Sequence, residues 1–143
     1  MLTVVLMVAG AALALAGGAL LVLRRRLLLV TVEGESMEPT YAAGDRLIVR
    51  RTTLAGVRRG AVVVLAAPAG APATDPPLLV KRAVALPGDP VPGGIPVPDR
   101  RVPAGRLVVL GDNADRSADS RGRGFIPATD VVGVLLRQLA PPA

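Results

Sequence analysis

The chain has 143 residues with 17 basic and 11 acidic side chains, so its formal net charge is +6, and its length fits one domain with a short appendage. One tyrosine and one phenylalanine are its only aromatic residues, which disfavours nucleic-acid binding by base stacking. Anionic lipid explains the excess of arginine at least as well as nucleic acid does. The absence of histidine and cysteine excludes a Ser-His-Asp triad, a thiolate nucleophile and cysteine-ligated zinc. We expect no nucleic acid, no metal ion and no other cofactor.

The first predicted element is a membrane-spanning helix over residues 1–23. That segment contains no charged side chain, and as a helix it would be about 34 Å long, enough to cross a hydrocarbon core of about 30 Å. A cleaved secretory signal is the alternative, with Ala14-Leu15-Ala16 as small residues for a cleavage site, but the basic stretch that normally precedes the apolar part is missing. The pattern favours an anchor in a lipid bilayer.

Three arginines, Arg24 to Arg26, follow this helix. By the positive-inside tendency they would keep the remainder of the chain in the cytoplasm. A more basic leader upstream of the given start, or insertion of a short amino terminus against the charge bias, would place it on the other side.

Residues 27–143 form the second predicted unit, a mostly β domain. Short apolar runs rich in β-branched residues are separated by Gly and Pro, and the sequence after the anchor shows no amphipathic helical periodicity. The strand candidates are residues 27–32, 47–49, 61–65, 107–110 and 131–136. Residues 68–77 and 87–103 are rich in Pro, Ala and Gly and are predicted to be surface loops, the second with a short hairpin.

Three segments combine unusual residues in a fixed order. The first is Gly34-Glu35-Ser36-Met37-Glu38-Pro39-Thr40, the second Lys81-Arg82-Ala83-Val84-Ala85-Leu86-Pro87-Gly88-Asp89, and the third Gly111-Asp112-Asn113 with Ser117-Ala118-Asp119-Ser120-Arg121. Taken singly, they are ordinarily a turn serine, a lysine that reaches solvent and a solvated loop. In a chain without His or Cys, however, a serine activated by a desolvated lysine is the remaining well-attested route to nucleophilic acyl transfer.

Together these segments resemble the conserved boxes of type I signal peptidases, and Arg59-Gly60-Ala61-Val62-Val63-Val64 resembles the strand between the first two. The resemblance covers nearly all of the chain after the anchor. It implies a signal-peptidase-like β catalytic domain with one N-terminal transmembrane helix. The stretch from Lys81 to Gly111 is too short for the large inserted β domain of bigger members, so the chain resembles the compact bacterial form.

The resemblance also implies roles for single residues. Ser36 would be the nucleophile and Lys81 the general base, and Lys81 must therefore lose its proton well below the ordinary lysine pKa of about 10.4, which burial among apolar strands can achieve. In the family, a serine of the last box contacts the lysine amine, and Ser117 occupies that position here. The matching Asp119 and Arg121 would support the site rather than make bonds, although an exposed pair would contribute less than about 1 kcal/mol.

Two further expectations concern the substrate. The backbone N–H of Ser36 is the first candidate donor to the oxyanion, and Gly34 stands where some members carry an additional serine hydroxyl. An extended peptide would add to a strand edge, with small pockets for alternate side chains. The positions that match family pocket walls, equally expected as plain core, are Val32, Met37, Tyr41, Leu79 and Val80.

The family implies removal of signal peptides from exported preproteins, with preproteins and the lipid bilayer as partners. We therefore expect the bacterial cell membrane as the location and the extracytoplasmic side for the catalytic domain, in conflict with the arginine triplet. Two alternatives remain. One is a self-cleaving repressor of the SOS type, which shares the Ser/Lys dyad but needs a helical DNA-binding domain before the serine, and the other is a catalytically silent membrane-anchored domain that binds peptides.

Overall fold

The computed structural model describes residues 1–139. Its first element is the helix α1 (Leu2–Arg26), of which Thr3–Arg26 is long and apolar enough to cross a membrane and is not covered by the rest of the protein. The helix continues past the predicted boundary at residue 23, because arginines are good helix formers and their charges interact favourably with the helix C-terminus. Leu27 is already extended, so α1 runs into the first strand without a linker.

The remainder is mostly β, as the sequence predicts. One antiparallel sheet has the strand order β1-β2-β7-β3-β4-β5-β6. A four-residue helix, α2 (Ser120–Arg123), precedes β6. The strands are β1 (Leu27–Thr31), β2 (Arg46–Arg51), β3 (Val62–Ala66), β4 (Leu78–Ala85), β5 (Arg106–Leu110), β6 (Ile126–Pro127) and β7 (Val131–Gln138).

Both faces of the central strands are buried. Val62 and Val64 of β3 belong to one hydrophobic cluster, whereas Val63 and Leu65 belong to another. Since successive side chains of a strand point to opposite faces, a strand covered on both sides must be apolar throughout, and β3 is. A third, smaller cluster lies under the loop between β4 and β5. The sheet is therefore a rigid support for the loops at its edges.

The predicted catalytic unit of residues 27–143 begins where β1 begins. Its last four residues, 140–143, lie outside the described part of the chain.

Candidate active site

Ser36 lies in a turn that follows β1 and is fixed at both ends. Two backbone hydrogen bonds of Val32 close the base of this loop: the Val32 N–H donates to the Asp45 carbonyl at 2.8 Å, and the Gly44 N–H donates to the Val32 carbonyl at 2.9 Å. Met37, directly after the serine, is fully buried in the first hydrophobic cluster. Ser36 itself is half-buried and lies on a turn that is anchored at both ends.

Gly34 is needed for the backbone of this turn. Its φ of +74° lies in the left-handed region, where residues with a side chain are strained. Glycine therefore has a conformational role two residues before Ser36, at the position where the family resemblance suggests an additional oxyanion donor.

A second contact fixes the serine against the segment that follows β5. The Asn113 N–H donates to the Ser36 carbonyl oxygen at 3.0 Å. A Cβ atom on Gly111 would stand 2.5 Å from that same carbonyl and would also collide with the Ser117 hydroxyl. Only glycine allows Ser36 and Ser117 to approach the backbone this closely, so Gly111 brings two of the predicted site residues together.

Lys81 lies in the middle of β4, opposite Val63 of β3, with 3% of its surface exposed. Within residues 1–139 its amine forms no hydrogen bond and no ion pair. No fully enclosed side-chain nitrogen in that range lacks a partner, so the Lys81 amine retains a small opening to solvent. An unpaired amine at a narrow opening is available to a reacting group.

Burial lowers the pKa of the Lys81 amine below its ordinary value of 10.5. The physical cause is loss of hydration, which disfavours the ammonium form. The Asp119 carboxylate opposes this shift, and the guanidinium groups of Arg121 and Arg123 add to it. Lys81 thus has the environment that a lysine needs to act as a base.

The Asp119 side chain is the most densely bonded group near Lys81. One of its oxygens accepts from the Gly111 N–H (2.8 Å), the Ser117 hydroxyl (2.6 Å) and the Arg121 guanidinium (2.6 Å). The other accepts from the backbone N–H and from Nε of Arg121, both at 3.0 Å. Asp119 is also the N-cap of α2. With five donors bound, the carboxylate is fully used and does not need the Lys81 ammonium.

These hydrogen bonds set the charge of Asp119. Burial alone would raise its pKa, but the bonds from Arg121, Ser117 and the Gly111 N–H together hold the pKa well below the usual range for aspartate. Asp119 is therefore ionised across the whole physiological range. Ser117 donates its hydroxyl proton to this carboxylate, so its oxygen can still accept a hydrogen bond from a neighbouring amine.

Arg82, the next residue on β4, belongs to a separate network that sequence reasoning missed. Its Nε and Nη2 donate to the two oxygens of Asp112 at 2.9 and 2.6 Å, and Nη1 donates to the Gly60 carbonyl at 3.0 Å. The Thr40 hydroxyl, from the turn that carries Ser36, also donates to Asp112 at 2.6 Å. The Lys-Arg and Gly-Asp-Asn sequences contain these residues, but only the fold shows that they clamp the serine turn to β4.

The five predicted pocket residues lie mainly in the hydrophobic core. Val32, Met37 and Val80 are buried in the first cluster, and Tyr41 packs against it. Leu79 packs against the second cluster, on the opposite face of the sheet.

A groove of about 230 Å³ lies beside these residues and is lined by different ones. Its walls come from the end of β1 and from the start of β4: Leu29, Val30, Thr31, Glu33, Pro76, Pro77 and Leu78. β1 is the terminal strand of the sheet, and the ladder from β4 to β5 begins only at Arg82. The groove therefore lies between two strand edges with unpaired backbone groups, the arrangement that accepts an extended peptide.

The described residues contain no cluster of His, Cys, Asp or Glu that could hold a metal ion. The reactive groups that the structure brings into one region are therefore a serine hydroxyl, a lysine amine with a lowered pKa, and the hydrogen-bond donors around them.

Comparison with known proteins gives one family match and several similar proteins. The family described as "Signal peptidase, peptidase S26" matches residues 2–92 and 95–137. The chain is 31% identical to signal peptidase I of Leptolyngbya laminosa, over 71% of this chain and 63% of the relative. It is 29% identical to the "Probable signal peptidase I-1" of Synechocystis sp., over 77% and 69%. A mouse mitochondrial inner membrane protease subunit 1 is 30% identical, over 79% and 69%. The chain thus spans somewhat under two thirds of the length of the first of these relatives.

Proposed function

The chain belongs to the signal peptidase family, peptidase S26, and on this basis we propose that it is a membrane-anchored serine endopeptidase that removes N-terminal signal peptides from exported preproteins. Ser36 is the nucleophile and Lys81 the general base. The observation that carries this proposal is the buried Lys81 amine beside the segment that fixes Ser36: its pKa is lowered, and it has no hydrogen-bond partner within residues 1–139.

Acylation requires a neutral Lys81. Its amine takes the proton of the Ser36 hydroxyl as the serine oxygen attacks the scissile carbonyl carbon. The resulting ammonium then gives its proton to the leaving amine nitrogen, the C–N bond breaks, and the signal peptide remains as an ester on Ser36. Lys81 is neutral again and accepts a proton from the water that attacks the ester carbonyl. The Lys81 ammonium then returns this proton to the Ser36 oxygen as the C–O bond breaks, which restores the Ser36 hydroxyl and the neutral amine and releases the signal peptide with a free carboxyl terminus.

The oxyanion of each tetrahedral intermediate needs preorganised donors, each worth on the order of a hundredfold to a thousandfold in rate. Within residues 1–139, the Ser36 N–H makes no hydrogen bond to another group, so it is available for this role. The left-handed Gly34 shapes the turn that presents this N–H. Asp119 and Arg121 hold Gly111 and Ser117 in place and take no part in bond making.

An extended substrate fits the groove between β1 and the first half of β4. Its main chain would pair with the two free strand edges, and its side chains would alternate toward the groove walls. The β4 edge leads directly to Lys81, so a peptide paired with it is guided to the general base.

The helix α1 supports anchoring in a membrane. We propose the bacterial cell membrane, with the β domain on the extracytoplasmic side where exported preproteins emerge, against the charge bias of the arginine triplet. The chain lacks cysteine, which makes this easy to test. A single Thr74→Cys in the exposed loop between β3 and β4 should react with a membrane-impermeant maleimide in intact cells. Labelling only after cell lysis would place the domain in the cytoplasm.

The central experiment incubates the purified chain in detergent with a preprotein that bears an Ala-x-Ala cleavage site. Wild type and Thr53→Ala, which removes an exposed hydroxyl from the loop between β2 and β3, should both cleave at that site, and Ser36→Ala should not. Cleavage by Ser36→Ala would refute the mechanism.

The two alternative functions predict different results in the same cleavage assay. Binding of the preprotein without cleavage by wild type would favour a silent peptide-binding domain. A change in the mass of the chain itself, with the preprotein intact, would favour a self-cleaving peptidase.

A further inference from the structure

An apolar cavity of about 420 Å³ lies where α1 joins the sheet. Its volume falls within the range of about 300–1,000 Å³ that is usual for small-ligand sites. The lining residues come from the end of the helix, from β1 and β2, and from the end of the described chain: Leu23, Arg24, Leu27, Leu28, Leu29, Ile48 and Leu139. Apart from Arg24, every one of them is aliphatic.

The cavity is separate from the hydrophobic core. Of its lining residues only Leu28 packs against a core cluster, and Leu29 is 48% exposed. A concave apolar surface of this kind normally marks a binding site. Its position gives the occupant, because the cavity begins at the last turn of a helix that spans the bilayer and so lies at the boundary between acyl chains and headgroups.

The charged residues of the elements that form and adjoin the cavity are all basic. Arg24 lies at its wall, with Arg25 and Arg26 beside it at the end of α1. Arg137 of β7 is the strand partner of Ile48, and Arg50 of β2 is the partner of Leu27. The sequences of α1, β1, β2 and β7 contain no aspartate or glutamate. An anionic headgroup would be attracted here, and a zwitterionic one much less.

We propose that this cavity binds an acyl chain of an anionic phospholipid, whose phosphate is held by Arg24. The apolar walls take the chain, and the arginine takes the charge in the same site. The inference rests on the part of the proposed function that places α1 in the bilayer, but not on catalysis by Ser36. Bound lipid phosphate would also neutralise positive charge at the end of α1, where an arginine triplet otherwise opposes transfer of the following domain.

The test measures the binding of pyrene-labelled phosphatidylglycerol to the full chain in phosphatidylcholine nanodiscs, with pyrene-labelled phosphatidylcholine as the neutral comparison. The wild-type chain should prefer the anionic lipid at least about tenfold, as expected for a charge-assisted contact. Equal retention of the two lipids would overturn the inference. Because the readout is lipid binding, the result should be the same in a Ser36→Ala background, and failure of the peptidase proposal would not change it.

Two matched pairs locate the site. Arg24→Gln and Arg25→Gln remove the same charge from the same helix end, but only Arg24 lines the cavity. We expect Arg24→Gln to lose most of the preference and Arg25→Gln to keep it. Ile48→Asn should likewise weaken binding, whereas Leu136→Asn, at an exposed leucine outside the cavity, should not.

Equal losses within each pair would show diffuse attraction to a charged surface and would refute the cavity. Failure of the wild-type chain to enter phosphatidylcholine vesicles at all would refute the inference through its premise. Thermal unfolding of each variant checks that the domain is folded when binding is lost.

Discussion

The neighbouring residues Lys81 and Arg82 of β4 differ in their partners: Arg82 forms an ion pair, and Lys81 forms none within residues 1–139. Arg82 points to a carboxylate that is free to receive it and forms a two-pronged ion pair with Asp112, in which Arg82 is 32% and Asp112 17% exposed. Lys81 points to the side of Asp119, whose oxygens are already occupied by five other donors. Burial therefore lowers the pKa of Lys81 even though a carboxylate lies nearby, and that carboxylate is already hydrogen-bonded to other donors.

The largest effects should come from removing the two cations in parallel. Lys81→Met should reduce cleavage at least about a thousandfold because the proposed general base is lost. It should also raise the free energy of unfolding by about 1–4 kcal/mol, since a buried unpaired amine is replaced by an apolar side chain. Arg82→Met should lower the free energy of unfolding, because it leaves Asp112 without its ion-pair partner. Steady-state kinetics and urea unfolding measure both quantities, and a Lys81→Met protein that is less stable than wild type would contradict the comparison.

The next largest effect should come from removing the Asp119 carboxylate, which accepts five hydrogen bonds. Asp119→Asn should lower the free energy of unfolding by about 3–5 kcal/mol, because it leaves the Arg121 guanidinium and several donors without a charged acceptor. Asp112→Asn, in the more exposed pair, should cost only about 1 kcal/mol. Asp119→Asn should also move the acidic limb of the pH–activity profile to lower pH, since the Asp119 charge raises the pKa of Lys81. A limb that moves to higher pH would contradict this electrostatic reasoning.

Gly111 lies against Ser36 and Ser117 and donates a hydrogen bond to Asp119. Its replacement should damage catalysis more than folding. In Gly111→Ala the added Cβ atom would collide with the Ser36 carbonyl and the Ser117 hydroxyl. A displacement of about 1 Å at reacting groups can cost about a hundredfold in rate, and we expect a loss of that order in kcat. Gly122→Ala is the control, because a Cβ atom there meets nothing within 4 Å. Equal activity of the two variants would show that the close packing at Gly111 is not needed.

The pH dependence of the free energy of unfolding should report on the side of β4 that holds Lys81 and Asp119. The pKa of Asp119 is lowered in the folded state, so this residue stabilises the fold above the unfolded pKa of about 3.9, and that stabilisation is lost as the pH falls below it. The Lys81 pKa is also lowered, so at neutral pH this residue destabilises the fold. Urea midpoints from neutral pH to pH 2 should fall steeply for wild type and less for Asp119→Asn. Parallel curves would show that another group is responsible.

The smallest effect should come from the ion pair between Glu35 and Arg116. Its charged atoms are 3.7 Å apart, and both side chains are more than half exposed. Glu35→Gln should therefore change the melting temperature very little, because exposed pairs are screened by water and salt. A large decrease would mean that the serine turn depends on this pair as well as on Met37.

The β architecture could be predicted because apolar runs of strand length are separated by Gly and Pro. β6 and α2 were missed, since two and four residues are too few to show a period. The order of the segments around Ser36 and Lys81 suggested the reactive pair. Sequence could not show that the Asp119 carboxylate is saturated by hydrogen bonds, because its donors come from Gly111 as well as from its own loop.

The groove residues illustrate the same limit. Residues 27–30 and 78–80 are apolar at every position, so their pattern does not distinguish a core residue from a wall of the groove. Val32 and Val80 belong to the first hydrophobic cluster. The residues that line the groove include Glu33 and two prolines, which hydrophobicity does not single out.

The direct passage from α1 into β1 has a mechanical consequence. Arg26 ends the helix, Leu27 begins the strand, and no flexible segment lies between them. In a bilayer the five residues of β1, at about 3.3 Å each, would fix the distance between the membrane surface and the turn that carries Ser36. A preprotein would then be cut at a set height above the lipid, so the distance of a scissile bond from its own membrane-embedded segment would matter alongside the residues that flank it.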